Sequence, residues 1–153
     1  MKINTILEIL PHETAFAHCD IPCGVYDPNR MQNAAHTVIR MTSLLKNEKD
    51  VHKISRIAHV KEEHGKIVEE ELITLAYDYF KNDHYDKYKN LEELIDEAVE
   101  LSAKVRQNID IEAANKLLEK ILEVSEIFYK SKDLKFARVK SPYPTELDIV
   151  VQK

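Results

Sequence analysis

Glycine and proline are scarce, at two and five residues in a chain of 153. A fold built from many short strands needs frequent turns, so this shortage argues against a β-rich class and favours long, uninterrupted helices. No apolar run reaches the length a membrane-spanning helix requires, and the helical stretches carry a charge at nearly every turn. No membrane partner is therefore expected. Excess positive charge is also lacking: the formal net charge is -5, and Lys and Arg are scattered rather than clustered. That leaves no contiguous basic surface for nucleic acid. There is no Gly-rich phosphate loop, internal repeat or low-complexity tract, so nucleotide binding has no motif to rest on. Cysteine occurs twice.

What is present is a hydrophobic share of 44%, enough for one domain with a single core. After the turn signal Asp27-Pro28-Asn29, residues Met31, Ala34, Ala35, Val38, Met41, Leu44 and Leu45 recur at intervals of three and four, predicting a first helix to about Asn47. A second is predicted from about Val51 to Phe80, with Ile54, Ala58, Gly65, Val68, Leu72, Leu75 and Tyr79 on one stripe flanked by Ile57, Val60, Ile67 and Ala76. Such a stripe can face two neighbours. The segment from Lys81 to Asn90 shows no period and reads as a connection, with Asn90 as the N-cap of a third helix carrying Leu91, Leu94, Ile95, Ala98, Leu101 and Val105. Asn108 to Asp110 break the pattern before Ile111, Ala114, Leu117, Leu118, Ile121, Val124 and Phe128 form a fourth. Four amphipathic helices with short links predict an all-α fold, an up-down antiparallel four-helix bundle. Beyond Asp133 the pattern becomes extended or irregular, and this tail, 134–153, has no assigned function.

The first 17 residues close on Ala15-Phe16-Ala17, a small-x-small pattern of the kind peptidases cut after, behind a short apolar stretch interrupted by Asn4, Thr5 and Glu8. The interruptions favour a propeptide, 1–17, removed by a maturation peptidase without export, and the expected location is cytoplasmic. The domain is expected to span 18–133.

Both cysteines lie just after this point, four residues apart and outside every core stripe. A local disulfide, a zinc site, a thiol redox pair and a redox-active metal site compete, and on spacing alone zinc or a disulfide leads. A zinc site needs four ligands and would have to borrow from His18 and a further histidine such as His36, His52 or His59. A redox pair would show a shorter spacing beside strands. Cleavage after Ala17 would make His18 an amino terminus. Its amine, the backbone nitrogen of Cys19 and the Cys19 thiolate would form two fused chelate rings, closed by the Cys23 thiolate into a planar set with the His18 imidazole left for the axial direction. Planar nitrogen and sulfur donation suits nickel(II) or copper(II).

The run His-Cys-Asp-Ile-Pro-Cys-Gly-Val-Tyr-Asp-Pro at His18 to Pro28 resembles the metal-binding hook of the nickel superoxide dismutase family. Asp78-Tyr79-Phe80-Lys81 with His84, Lys87 and Tyr88 resembles a second family segment, and Ile127-Phe128 also fits. The resemblance implies disproportionation of superoxide to dioxygen and hydrogen peroxide, nickel as cofactor in the +2 and +3 states, and assembly as a homohexamer of four-helix bundles. It implies His18, Cys19 and Cys23 as metal ligands, and Tyr26, Asp20, Tyr79 and Lys81 as groups beside the metal that order the hook or admit the anion. Where the family orients its axial imidazole with a glutamate and an arginine, this chain has Ala34 and His64; either another residue such as Gln32, Glu62 or His64 itself orients the ring, or the axial bond is weaker and the rate lower. A non-catalytic zinc- or copper-binding bundle is the alternative.

Overall fold

In the computed structural model, which describes residues 23–153, five α-helices and one antiparallel pair of strands follow in chain order. Helix α1 (Asn29–Leu45) begins behind Asp27, whose carboxylate accepts the Asn29 N–H at 2.6 Å. Asp50 caps α2 (Val51–Thr74) by accepting the Lys53 N–H at 3.1 Å. The last regular turn of α2 passes into a π-helical turn, Leu75–Tyr79, closed by a bond from the Phe80 N–H to the Leu75 carbonyl at 2.8 Å. Helices α4 (Leu91–Gln107) and α5 (Ile111–Ser131) meet at Asp110, which caps α5 by accepting the Ala113 N–H at 2.9 Å. All four predicted bundle helices are present close to their predicted bounds.

Two expectations are corrected. The stretch from Lys81 to Asn90 holds a short helix, α3 (Asn82–Lys87), rather than a bare connection. It is too short to show a helical period in sequence; the His84 ring caps its start by accepting the Lys81 N–H at 3.0 Å, and the Tyr85 hydroxyl ties it to the preceding turn by donating to the Ala76 carbonyl at 2.9 Å. Asn90 does precede α4, but its side chain makes no capping bond.

Ion pairs record the topology. Arg30 reaches Glu71 from α1 to α2, Arg106 reaches Glu69 and Glu62 from α4 to α2, and Lys104 reaches Asp110 at the α4–α5 turn. Arg30 lies in the first turn of α1 and Glu71 near the end of α2, as antiparallel packing of that pair demands. Helix α5 closes the ring against α1. The core between them holds Met31, Val38, Val68, Leu72, Leu117, Leu118, Ile121 and Leu122, all at 2% exposure or less. Each such side chain contributes about 1.5–3 kcal/mol on burial.

The α2 stripe divides into two halves. Gly65, Val68, Leu72 and Leu75 are buried, whereas Ile54, Ile57, Ala58 and Val60 are half-covered. At Gly65 an added Cβ would lie 2.5 Å from the Arg106 Cγ, so glycine is what lets the Arg106 stem cross α2. Lys61 is also buried, and its ammonium donates to the carbonyls of Val105, Arg106 and Asn108, closing the C-terminus of α4. Burial pushes its pKa down.

The tail is a β-hairpin of β1 (Phe136–Lys140) and β2 (Asp148–Gln152), with Arg138 opposite Val150. It lies on α1 and α5. Gln32 on α1, 1% exposed, donates to the Val150 carbonyl at 3.1 Å and accepts the Val150 N–H at 2.7 Å. One turn on, His36 sits with Nδ1 2.6 Å from the Thr145 hydroxyl and Nε2 3.1 Å from the Asp148 carbonyl, and Tyr143 donates to Asn33 at 2.6 Å. On the α5 side Arg138 meets Glu126 and Glu119, and Phe136 stacks on Tyr129 at 6.2 Å. Periodicity shows such a tail to be non-helical; its buried polar partners on α1 are a tertiary outcome.

Candidate functional site

Of the predicted metal ligands, Cys23 lies within the described residues, while His18, Cys19 and Asp20 lie outside them, as does the segment 1–17. Cys23 is exposed, and its sulfur lies 3.5 Å from the Val25 N–H, a contact that stabilises a thiolate. Gly24 holds φ at +70°, a left-handed conformation that side-chain-bearing residues rarely adopt, and so turns the chain from Cys23 toward the bundle. Two residues on, Tyr26 is half-buried against Tyr79, ring centroids 5.4 Å apart. Tyr26 and Tyr79, 53 positions apart in sequence, are therefore brought together as the resemblance implies.

Tyr79 occupies the π-helical turn at the end of α2, which turns it into a nest of rings. Phe80 lies at 5.1 Å, Phe128 at 4.8 Å and His84 at 5.6 Å in near-parallel stacking. Burial pushes the Tyr79 phenol above its ordinary pKa. Its hydroxyl is 2.7 Å from the Ser131 hydroxyl, which itself donates to the Phe128 carbonyl at 2.7 Å. The Lys132 ammonium stands 5.3 Å from the Tyr79 ring centre and 4.9 Å from that of Phe128. Tyr129, one residue after Phe128, approaches Asp27 and Asn29 and tethers the start of α1 to α5.

Lys81 is adjacent in sequence but turned elsewhere: its ammonium donates to the Tyr77 carbonyl at 3.2 Å, and it lines a cavity with Tyr77, Phe80, Tyr85 and Asp96. The cation over Tyr79 is Lys132. Sequence reasoning missed Ser131 and Lys132, although both sit three and four positions after Phe128 and share its helical face.

None of the proposed substitutes for the ring-orienting pair is idle. Gln32 is bound at both ends of its amide to Val150, and Glu62 pairs with Arg106 at 3.5 Å. Ala34 is buried, and His64 directs Nδ1 to the Val60 carbonyl at 2.9 Å. Of the histidines a zinc site could borrow, His36 has both ring nitrogens engaged and His59 faces Glu63. Among the described residues no three His, Cys, Asp or Glu side chains gather into a cluster that could hold a metal ion.

The chain matches the family model for nickel-containing superoxide dismutase over residues 13–132. It is 30% identical over 122 residues to "Superoxide dismutase [Ni]" of Streptomyces coelicolor and 32% identical over 122 residues to that of Streptomyces seoulensis, each match covering 80% of this chain and 93% of the relative. Among solved structures, a native nickel superoxide dismutase superposes with a TM-score of 0.71 at 30% identity, covering 75% of this chain and 99% of that one. A nickel-containing superoxide dismutase with the ligation of the oxidised state gives 0.72 at 32% identity, covering 76% and 99%. The family match stops where α5 ends, so the hairpin lies beyond it. On the hook sequence, the helical ring and a match across most of its length, this chain belongs to the nickel-containing superoxide dismutase family.

Proposed function

We propose that this chain, after removal of residues 1–17 by a maturation peptidase, is a superoxide dismutase that converts two superoxide ions and two protons into dioxygen and hydrogen peroxide. The observation that carries the reading is the family match from residue 13 to 132, which spans His18, Cys19, Cys23 and Tyr26.

His18 provides its new terminal amine and its imidazole, Cys19 its backbone nitrogen and thiolate, and Cys23 its thiolate. Nickel held there supplies the electron chemistry by alternating between the +2 and +3 states. The exposed Cys23 sulfur and the turn at Gly24 fit this donor role. Thiolates and an amide nitrogen are strong donors, which suits them to a metal that must give up an electron readily. The Val25 N–H moderates the charge on the Cys23 sulfur.

Tyr26 lies over Tyr79 and shapes the face that superoxide approaches, with Asp20 holding the hook's form. Tyr79 keeps its proton through the neutral range because burial disfavours the phenolate. The net charge of -5 repels an anion at long range, so attraction must be local. Lys132 supplies it beside Tyr79, with Lys81 and Lys87 farther along the same end. The half-covered apolar residues Ile54, Ile57, Ala58 and Val60 support assembly into a homohexamer, and the interrupted leader supports a cytoplasmic location.

The test compares the chain retaining Met1 with one beginning at His18, both supplied with nickel, by pulse-radiolysis decay of superoxide and by metal analysis. The trimmed form is expected to hold one nickel per chain and to remove superoxide, and the untrimmed form to do neither. Equal activity with Met1 retained would overturn the amine-ligand assignment. A nickel-loaded trimmed chain without activity would leave a metal-binding bundle in its place.

A further inference from the structure

We infer that Ser131 is a positioning residue for the dismutation, fixing the Tyr79 hydroxyl as a hydrogen-bond acceptor on the side that faces Tyr26. A serine hydroxyl has one hydrogen, and that of Ser131 goes to the Phe128 carbonyl at 2.7 Å. The 2.7 Å contact between Tyr79 and Ser131 must then be donated by the phenol. With its proton directed to α5, the Tyr79 oxygen offers lone pairs to whatever donor lies beside it, the Tyr26 hydroxyl or a water.

The ring cannot turn to escape this arrangement. Tyr26 at 5.4 Å, Phe128 at 4.8 Å, Phe80 at 5.1 Å and His84 at 5.6 Å surround it, and the Lys132 ammonium stands over it at 5.3 Å. Packing sets where the oxygen is, and Ser131 sets where its hydrogen points. Tyr79 is thereby withdrawn as a proton donor to the incoming anion. The carbonyl that holds Ser131 belongs to the last turn of α5, so the orientation is inherited from a helix end rather than from the hook.

This inference rests on the reading of Tyr79 as part of the site, and the experiment separates the two. Ser131→Ala, Ser131→Thr, Tyr79→Phe and the Ser131→Ala/Tyr79→Phe pair are assayed as nickel-loaded trimmed enzymes. Ser131→Ala is expected to slow dismutation several-fold and Ser131→Thr, which keeps the hydroxyl, to stay within about twofold of the parent. The double variant should be no slower than Tyr79→Phe alone, since both changes remove one interaction. Independently of activity, the Tyr79 hydroxyl proton is followed by NMR in the metal-free full chain, identified by its absence from Tyr79→Phe; its exchange with water should quicken at least about tenfold in Ser131→Ala and not in Ser131→Thr. If Tyr79→Phe leaves the rate unchanged, the reading of Tyr79 fails and this inference with it. If Tyr79→Phe slows the enzyme but Ser131→Ala does not, or slows both backgrounds equally, or leaves proton exchange unchanged, Tyr79 stands and Ser131 is rejected.

Discussion

Gln32 holds Val150 by both ends of its amide, accepting from the backbone N–H at 2.7 Å and donating to the carbonyl at 3.1 Å. A side chain on α1 thus stands in for a neighbouring strand, and both Val150 groups are satisfied in the interior. Gln32→Leu, close in volume, would orphan them. The expected loss is about 2–6 kcal/mol, from two buried polar groups left unpaired at about 1–3 kcal/mol each. Urea unfolding measures it, and amide exchange should quicken across β2 while the core of α5 stays protected. A loss below the error of the unfolding curve would show that the hairpin is held by other contacts.

Gly65→Ala addresses the α2–α4 contact. The new methyl would meet the Arg106 Cγ at 2.5 Å, and Arg106 has little room to yield because Glu69 and Glu62 hold its head. Although alanine is the better helix former, overpacking should dominate, lowering stability by about 1–3 kcal/mol. A thermal melt decides the sign: a raised Tm would mean that the Arg106 stem moves freely.

His36 makes stability depend on pH. Burial pushes its imidazole below the ordinary value of 6.5, so as pH falls through that value the unfolded chain takes up a proton that the native site still refuses. The unfolded state then binds more protons, and the contribution present above 6.5 is lost progressively below it. His36→Gln, which keeps a donor and an acceptor, should flatten this part of the stability profile measured by denaturant titration between neutral and mildly acidic pH. An unchanged slope would assign the dependence to other groups.

Nickel removal by a chelator should abolish superoxide removal yet leave helicity at 222 nm unchanged. Every proposed donor lies between His18 and Cys23, ahead of the first helix in sequence, so an unfolded chain can hold the metal nearly as well as a folded one. Little linkage to folding results, and the Tm should move by no more than about 3 °C. A large drop would mean that the metal also ties the bundle or its assembly together.

The helices were legible because α1, α2, α4 and α5 each carry an apolar stripe with period 3.6, whereas the caps at Asp50 and Asp110 were seen only in the structure. Helix α3 was not legible, since six residues cannot display a period and its tie from the Tyr85 hydroxyl to the Ala76 carbonyl depends on how the chain turns back on itself. Lys61 was equally hidden: nothing local distinguishes a lysine at a helix surface from one whose ammonium closes another helix's end.

The donor set proposed for nickel is a matter of neighbours along the chain, an amine, an amide and two thiolates within six positions, and local chemistry can be read from local sequence. Fold class followed for the same reason, because helix periodicity is a property of short windows. The long-range contacts are different in kind. The meeting of Tyr26 with Tyr79, the choice of Lys132 rather than Lys81 over the ring, the hydrogen taken by Ser131 and the clasp of Gln32 on Val150 each join residues far apart in sequence. Those pairings were decided by how four helices pack around one core, since distance in space is set by packing and no window of sequence contains it.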